Sequence, residues 1–347
     1  VRCLSPRTVG FKADGKTISW SQKDSSPEYA TFQLPCSKCI ECRLEYARDT
    51  AIRCVHEAKM YENNSFITLT YSDEKLKSPK LQYSDFQLFI KKLRSQVWEQ
   101  AMERIFPYAK TQSERRKAFR ELSKETQEQI RQTHSLPVLV TGEYGDIRKR
   151  PHWHTLIFNY RPKDLIYKYS NERGDKVYSS DSLDKIWTNG ITEIGNITFE
   201  SAGYCARYAA KKLIHGNDQD HQFQPIHKRS SKHAIGKKFL EKYYQDIFNY
   251  GKVVLEDGTK CTIPRYYEKW FKTKHPELWE AYVTRIKLPK IFQAENKQKL
   301  LDKKTQEINH QRLDQGKQNL QITRNTVRTE ISKQKFKRLQ QHLKGDI

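Results

Sequence analysis

Ten residues, Arg150–Asn159, constrain this chain more than any other stretch: RPHWHTLIFN. The run is apolar and bounded by turn residues, so it reads as a buried strand. Side chains two apart on a strand share a face. His152 and His154 therefore project together, and Trp153 points to the opposite side. Taken alone, such a pair is either two core imidazoles with satisfied hydrogen bonds or two ligands of a divalent metal. A second apolar strand precedes it, Leu136–Gly145, ending in Gly-Glu-Tyr-Gly. The turn between the two makes an antiparallel hairpin, which sets Glu143 across from the histidines. Two neutral imidazoles and one carboxylate, with positions left open, suit Mg2+ or Mn2+ on a phosphate oxygen.

The remaining strand and helix signals surround this hairpin. Phe66–Tyr71, FITLTY, is β-branched and aromatic and reads as a central strand, whose alternating threonines give one polar face that either approaches a ligand or belongs to an ordinary sheet strand. Tyr83–Trp98 carries Phe86, Phe89, Ile90, Leu93 and Val97 at helical spacing, with Lys91, Lys92 and Arg94 on the polar side. Residues 99–135 read as a helical insertion, interrupted near Pro107. Residues 161–190, with Tyr167, Tyr169 and Tyr178 among lysines, read as a surface excursion, and Ile191–Phe199 returns to strand character. Ser201–Leu213 is alanine-rich and free of proline, a helix capped near Ser201. Tyr204 and Tyr208 stand i, i+4 and share a face, with Lys211 seven residues after Tyr204. An aromatic stripe against a sheet has the same spacing. As nucleophiles, phenols with a free pKa of about 10 need a neighbouring cation or metal. Residues 214–262 include a basic segment, His227–Lys238, that suits a loop on a DNA backbone or an ordinary surface loop. Tyr243 and Tyr244 are adjacent, share no helix face, and are poorer nucleophile candidates.

Cysteine usage marks a second centre. Three of the seven cysteines, Cys36, Cys39 and Cys42, follow C-x2-C-x2-C at the start of a helix over about Glu41–Tyr61. The odd count and the crowding point to a reducing compartment and to thiols used as ligands. A fourth ligand from Cys3, Cys54 or His56 would complete a structural zinc site or hold an iron–sulfur cluster. Cys3 is preferred, because a ligand distant in sequence would pin the N-terminal arm to the helix. Three reduced thiols without metal remain the plain alternative. A thiolate-saturated site has no open position and is not the catalytic centre.

Composition bears on the partner. The 347 residues carry a net charge of +23, a pI near 9.6 and 12% aromatics, which suits a polyanion with bases to stack on. The tail from about Arg285 to Ile347 holds 16 Lys and Arg against 6 Asp and Glu, and reads as broken helices or a disordered arm binding DNA nonspecifically or not at all. A mean hydropathy of −0.90 and no long apolar run argue against a membrane span, and no apolar signal core argues for secretion.

Three stretches in order, FITLTY, RPHWHTLIF after GEYG, and YCARYAAK, resemble the motifs of the HUH endonucleases that initiate rolling-circle replication. The two-tyrosine form is similar to the initiators of microviruses. PCxxCxxCR and the later IPRYYEKW (Ile263–Trp270) resemble the gokushovirus branch, which includes phages of Chlamydia. The resemblance runs from about Cys3 to Trp270. It implies an α+β fold with a central antiparallel sheet and flanking helices. His152 and His154 would be metal ligands, with Glu143 a weaker transfer, since the carboxylate's position varies. Tyr204 and Tyr208 would be nucleophiles and Lys211 their basic partner. Arg207 departs from the lysine often found there and cannot give up its proton at neutral pH.

The resemblance further implies nicking of origin DNA, a 5′-phosphotyrosine link and religation, acting on single-stranded origin and replicative-form duplex in the bacterial host cytoplasm. Host polymerase would extend the 3′ end. The protein–DNA ester would conserve the bond energy, so no nucleotide cofactor is needed, and a helicase would come from the host. The expected organisation is a Cys-rich element at 1–62, a nuclease core at 63–215, a basic extension at 216–284 and the tail at 285–347. A single-tyrosine relaxase or transposase of the same superfamily, and a non-enzymatic regulator built on the cysteine cluster, stay open as alternatives.

Overall fold

A computed structural model describes residues 3–145, 148–211, 225–231, 233–314 and 323–344, with the side chains of 22, 208–211, 312–314, 324–325, 336 and 339–344 outside the described set. The first elements are β1 (Arg7–Phe11), β2 (Ile18–Ser19), β3 (Phe32–Leu34), α1 (Ile40–Ala58) and β4 (Asn64–Thr70). Then come α2 (Tyr83–Ile105), α3 (Gln112–Glu121), α4 (Lys124–Thr133), β5 (Val138–Tyr144) and β6 (Pro151–Phe158). They are followed by β7 (Ile166–Ser170), β8 (Lys176–Ser179), α5 (Asp181–Trp187), β9 (Thr192–Gly195) and α6 (Phe199–Lys211). The last are β10 (Ile226–Arg229), α7 (Lys237–Tyr250), β11 (Val253–Val254), β12 (Lys260–Cys261), α8 (Arg265–Lys274), α9 (Pro276–Tyr282), α10 (Leu288–Asp314) and α11 (Arg324–Lys344). The chain divides into two compact units, Thr50–Lys242 and a second composed of Val1–Asp49 with Tyr243–Ile347. The fold is α+β, as the sequence implied.

The unit Thr50–Lys242 is built on a seven-stranded antiparallel sheet in the order β10-β5-β6-β4-β9-β8-β7. Its strands alternate faces, and each face has its own core. Ile67, Leu69, Val140, Trp153 and Ile157 lie against Phe86, Phe89 and Leu93 of α2 and against α5. The Trp153 indole donates to Tyr71 Oη at 3.0 Å, so the one polar atom of this large side chain is satisfied inside the core. On the other face Leu139, Leu156 and Phe158 pack against Ala202 and Cys205 of α6 and Ala51 and Cys54 of α1. Burying each large apolar side chain contributes roughly 1.5–3 kcal/mol, enough to fix which face of each strand is inward.

Three expectations need correction here. Residues 161–190 are not merely a surface excursion: β7 and β8 extend the sheet, and Leu183, Ile186 and Trp187 of α5 are buried in its core. Polar turns at Asn171–Asp175 and Ser180 disguise these short elements. The basic segment after His227 begins as strand, since Ile226–Arg229 pairs with Leu139–Gly142. The helix expected to be capped near Ser201 starts at Phe199. Thr198 and Ser201 exchange hydrogen bonds, each backbone N–H donating to the other's hydroxyl, at 2.8 Å from Thr198 and 3.2 Å from Ser201, which satisfies donors left open at a helix start. The helical insertion has its own small core of Met102, Phe106 and Phe119.

His56 on α1 is 2% exposed and its ring stacks on Phe239 at 3.9 Å. Burial, with Lys59 adding to it, drives this imidazole down to about 3. The folded state thus keeps His56 neutral where the unfolded chain takes up a proton, so its contribution to stability is complete above about pH 6.5 and is lost as pH falls toward about 3. We expect His56→Phe to remove part of the acid sensitivity of unfolding between these limits, measured as urea midpoints at about pH 7.5, 5.5 and 4.

The second unit holds the three-stranded sheet β2-β1-β3, the β11–β12 pair and the C-terminal helices. Phe248, Phe271 and Tyr282 form its aromatic centre, with Phe248 stacked on Phe271 at 3.8 Å. Of the two expectations for the tail, the helical one holds for the described residues, which form α10 and α11. Lys, Gln, Glu and Leu favour helix, and Pro289 follows closely on a π-helical turn, Val283–Lys287, that joins α9 to α10. No helix of the described residues is long and apolar enough to cross a membrane.

Candidate active site and metal centre

The β5–β6 register pairs Glu143 with His152 and Thr141 with His154, and β4 sets Thr68 opposite His154 from the other side. All five side chains stand on the sheet face that α6 covers. His152 Nδ1 lies 3.1 Å from Arg150 O; a carbonyl only accepts, so this nitrogen carries the proton and Nε2 keeps its lone pair. His154 Nδ1 meets Thr68 Oγ1 at 3.0 Å, and donation there leaves its Nε2 free to act as a ligand. Both Nε2 atoms converge on Glu143 Oε1, at 3.1 Å from His152 and 2.7 Å from His154.

Lone pairs pointed at one another repel unless a cation lies among them. Burial works against the Glu143 carboxylate, but imidazoles that carry a proton toward it outweigh burial and hold it well below the usual range, the role a cation takes when the rings are neutral. Burial drives His154 down, against the pull of Glu143. Glu143 is 3% exposed, and its Oε2 is buried without a hydrogen-bond partner among the described residues, a costly state for an ionised oxygen. Three donor groups within 4.8 Å of one another, with a carboxylate oxygen unsatisfied, fit a divalent cation.

Tyr204 enters this cluster from α6. Its hydroxyl donates to Glu143 Oε1 at 2.6 Å and lies 3.4 Å from His154 Nε2, with the phenol ring edge-on to His154 at 5.0 Å. The helix can approach so closely because Ala202, Cys205 and Ala206, all at 0% exposure, present small side chains to the sheet. A hydrogen bond fixes its height: Thr141 Oγ1 donates to Cys205 O at 3.0 Å. Having spent its proton there, Thr141 accepts from His227 Nδ1, also at 3.0 Å. Thr141 and His227 were missed in the sequence, whereas Thr68 lies on the polar face that the alternation in FITLTY marks. The hairpin register alone would have placed Thr141 beside His154. The backbone at Tyr208 and Lys211 belongs to α6, but their side chains lie outside the described residues.

In the other unit, Cys3 joins Cys36, Cys39 and Cys42, the four sulfurs lying within 4.8 Å of one another. Cys3 and Cys39 are 3.8 Å apart. Backbone N–H groups of Leu4, Cys36 and Cys39 point at these sulfurs from 3.2–3.4 Å, the arrangement that thiolate ligands require. Burial opposes ionisation of Cys36, yet N–H groups of Cys39 and Lys38 bring it down to about 6, while burial pushes Cys3 up. The donor set fits a tetrahedral metal. The other two sequence candidates are taken up by packing: Cys54 is fully buried, which pushes it up to about 12, and His56 lies under Phe239.

Fold and site together define an α+β protein in which a histidine–carboxylate cluster faces a helix-borne tyrosine. A family model for replication-associated proteins of the ORF2 type matches residues 105–213, which contain the hairpin and Tyr204. The chain is 45% identical to the replication-associated protein VP4 of Bdellovibrio phage phiMH2K, over 99% of this chain and 100% of the relative. It is 28% identical to the replication-associated protein ORF4 of Chlamydia phage 1, over 69% of this chain and 53% of that one. With the replication-associated protein ORF2 of Spiroplasma virus 4 it shares 29% identity over 82% and 84% of the two chains. No solved structure matches. The chain belongs to the family of microvirus replication-associated proteins, the rolling-circle replication initiators that its motifs resemble.

Proposed function

We propose that this replication initiator cuts one strand at the origin of a circular single-stranded DNA phage genome, holds the 5′ end as a phosphotyrosine ester, and later religates the displaced strand. The observation that carries the reading is the bond from Tyr204 to Glu143: a nucleophile's hydroxyl already inside a cluster built for a cation. Glu143, His152 and His154 would hold Mg2+ or Mn2+, which when bound supplies Lewis acidity and a template at the scissile phosphate. Glu143 Oε1 orients the phenol and receives its hydrogen bond. The Tyr204 oxygen gives up its proton to solvent and forms the new P–O bond, the bond from phosphorus to the 3′ oxygen breaks, and that oxygen takes a proton from solvent, giving a free 3′-OH for the host polymerase. The ester conserves the bond energy, so resealing needs no nucleotide. Tyr208, one turn along α6, would be the second nucleophile that cuts the regenerated origin, and Lys211 the cation beside them. The 3′-OH released then attacks the first ester and closes the circle. A host helicase would open the duplex replicative form, in the host cytoplasm.

Incubation with single-stranded origin DNA and Mn2+ or Mg2+ is expected to give a denaturation-resistant protein–DNA adduct that chelation prevents. DNA binding without any adduct under these conditions would favour a regulator instead. For the cysteine centre we propose structural zinc, with an iron–sulfur cluster the alternative. About one equivalent of metal beyond the hairpin site should be found by atomic emission, lost in Cys39→Ser.

A further inference from the structure

On the sheet face opposite the histidines, a groove of about 590 Å3 opens between α2 and the edge strand β10. Its floor is apolar and aromatic: Phe86, Ile90, Val138 and Val140 are buried, and Tyr83 stands half-buried beside them. Three cations line it, Lys91 and Arg94 from α2 and Lys228 from β10, all exposed. Among the described residues, none of those lining it is acidic. Two bonds stiffen the walls: Arg94 donates to Leu136 O at 2.9 Å, and Ser230 Oγ accepts from Val138 N–H at 2.9 Å.

A volume in the range of small-molecule sites, an apolar floor and a purely cationic rim match a planar heterocycle attached to a phosphate. We propose that this groove binds one nucleotide unit of single-stranded DNA, the base against Tyr83 and the apolar floor and the phosphate between Lys91 and Lys228. The inference rests on the reading of the chain as an origin-cutting protein, and it adds a second contact for the same strand. β5 ties the two together. Val138 and Val140 face the groove while Thr141 and Glu143 face the histidines. About three to five residues of extended chain separate them, roughly 10–17 Å at about 3.3 Å per residue. A strand wrapped over the β10 edge would thus be gripped at a fixed spacing from the site of cutting. Base stacking in such grooves tolerates any sequence, which suits a grip rather than origin readout.

The test uses the full chain with both Tyr204→Phe and Tyr208→Phe, so binding is read without chemistry and independently of whether the protein cuts. A short oligothymidine of about 15 nucleotides carrying 5-iododeoxyuridine, long enough to fill such a groove and its flanks, is crosslinked by long-wavelength ultraviolet light. The adduct is then mapped by mass spectrometry. Crosslinks at Tyr83 or His233 are expected. Lys91→Glu with Lys228→Glu, both at exposed positions, should weaken the unmodified oligomer about tenfold or more and flatten the salt dependence by about 0.7 per lost phosphate contact. Crosslinks confined to other residues, or affinity within about threefold of the parent, would overturn the proposal. So would loss of the Tyr83 crosslink to thymidine triphosphate at equal concentration, which would mark a free-nucleotide pocket instead. Failure of Tyr204 to form an ester would sink the cutting reaction and leave these binding results standing.

Discussion

Replacing Tyr204 and Tyr208 together by phenylalanine should abolish the covalent protein–DNA adduct, a loss on the order of 10^4-fold or more, while DNA binding and the melting temperature stay near those of the parent. The ring of Phe at 204 retains the edge-on contact with His154. Only one hydroxyl leaves that cluster, and with it the donor to Glu143; a lost hydrogen bond of this kind costs about 1 kcal/mol, a small fraction of a domain's stability. Each single Tyr→Phe variant should keep some adduct, because the two positions share a helix face one turn apart. Denaturing gels with end-labelled origin DNA read all three variants together. Adduct persisting in the double variant would place the nucleophile elsewhere in the chain.

The second large effect is expected at the metal cluster. His152→Ala or Glu143→Ala should lower cutting on the order of 10^3-fold or more, yet leave salt-sensitive DNA binding largely intact. The reason is geometric. Glu143 is the only carboxylate among the three donors, and its Oε1 is the point on which both Nε2 atoms and the Tyr204 hydroxyl converge. Removing it takes away the charge that attracts the cation and the group that orients the phenol. Phosphate contacts made by surface cations do not depend on this cluster. Glu143→Gln separates the two roles, since the amide keeps the shape and loses the charge. Isothermal titration with Mn2+, alongside adduct formation, should show both fall together. Metal-independent cutting by Glu143→Ala would exclude the cluster from the reaction.

Much of the site was legible because strands count by two. Once 136–145 and 150–159 were taken as a hairpin, the positions of Glu143, His152, Trp153 and His154 followed from side-chain alternation, and the structure brings the first, second and fourth together. Cys3 could be argued to the cysteine cluster because a short turn motif needs a distant fourth ligand. Thr141 was opaque, since a threonine in a strand looks alike whether it faces solvent or holds an imidazole; the alternation in FITLTY marks the face of Thr68 as polar without naming His154 as its partner. His227 looked like part of a basic loop because an edge strand of four residues, two of them cations, has no periodicity to detect. β7, β8 and α5 were hidden for a related reason: their apolar residues, Tyr178, Leu183, Ile186 and Trp187, are spread among turns and lysines. The union of Val1–Asp49 with Tyr243–Ile347 in one unit depends on contacts between chain ends, and such contacts leave no local pattern in either segment.

The most direct measurement is peptide mapping of the covalent adduct. Origin DNA is trapped on the protein with Mn2+, the DNA is digested to a residual nucleotide, and tryptic peptides are sequenced by mass spectrometry. The account predicts a nucleotide ester on Tyr204, with Tyr208 carrying it in the Tyr204→Phe variant. An ester on a residue outside α6, or on Tyr204 alone with none on Tyr208 in that variant, would contradict the two-tyrosine cycle.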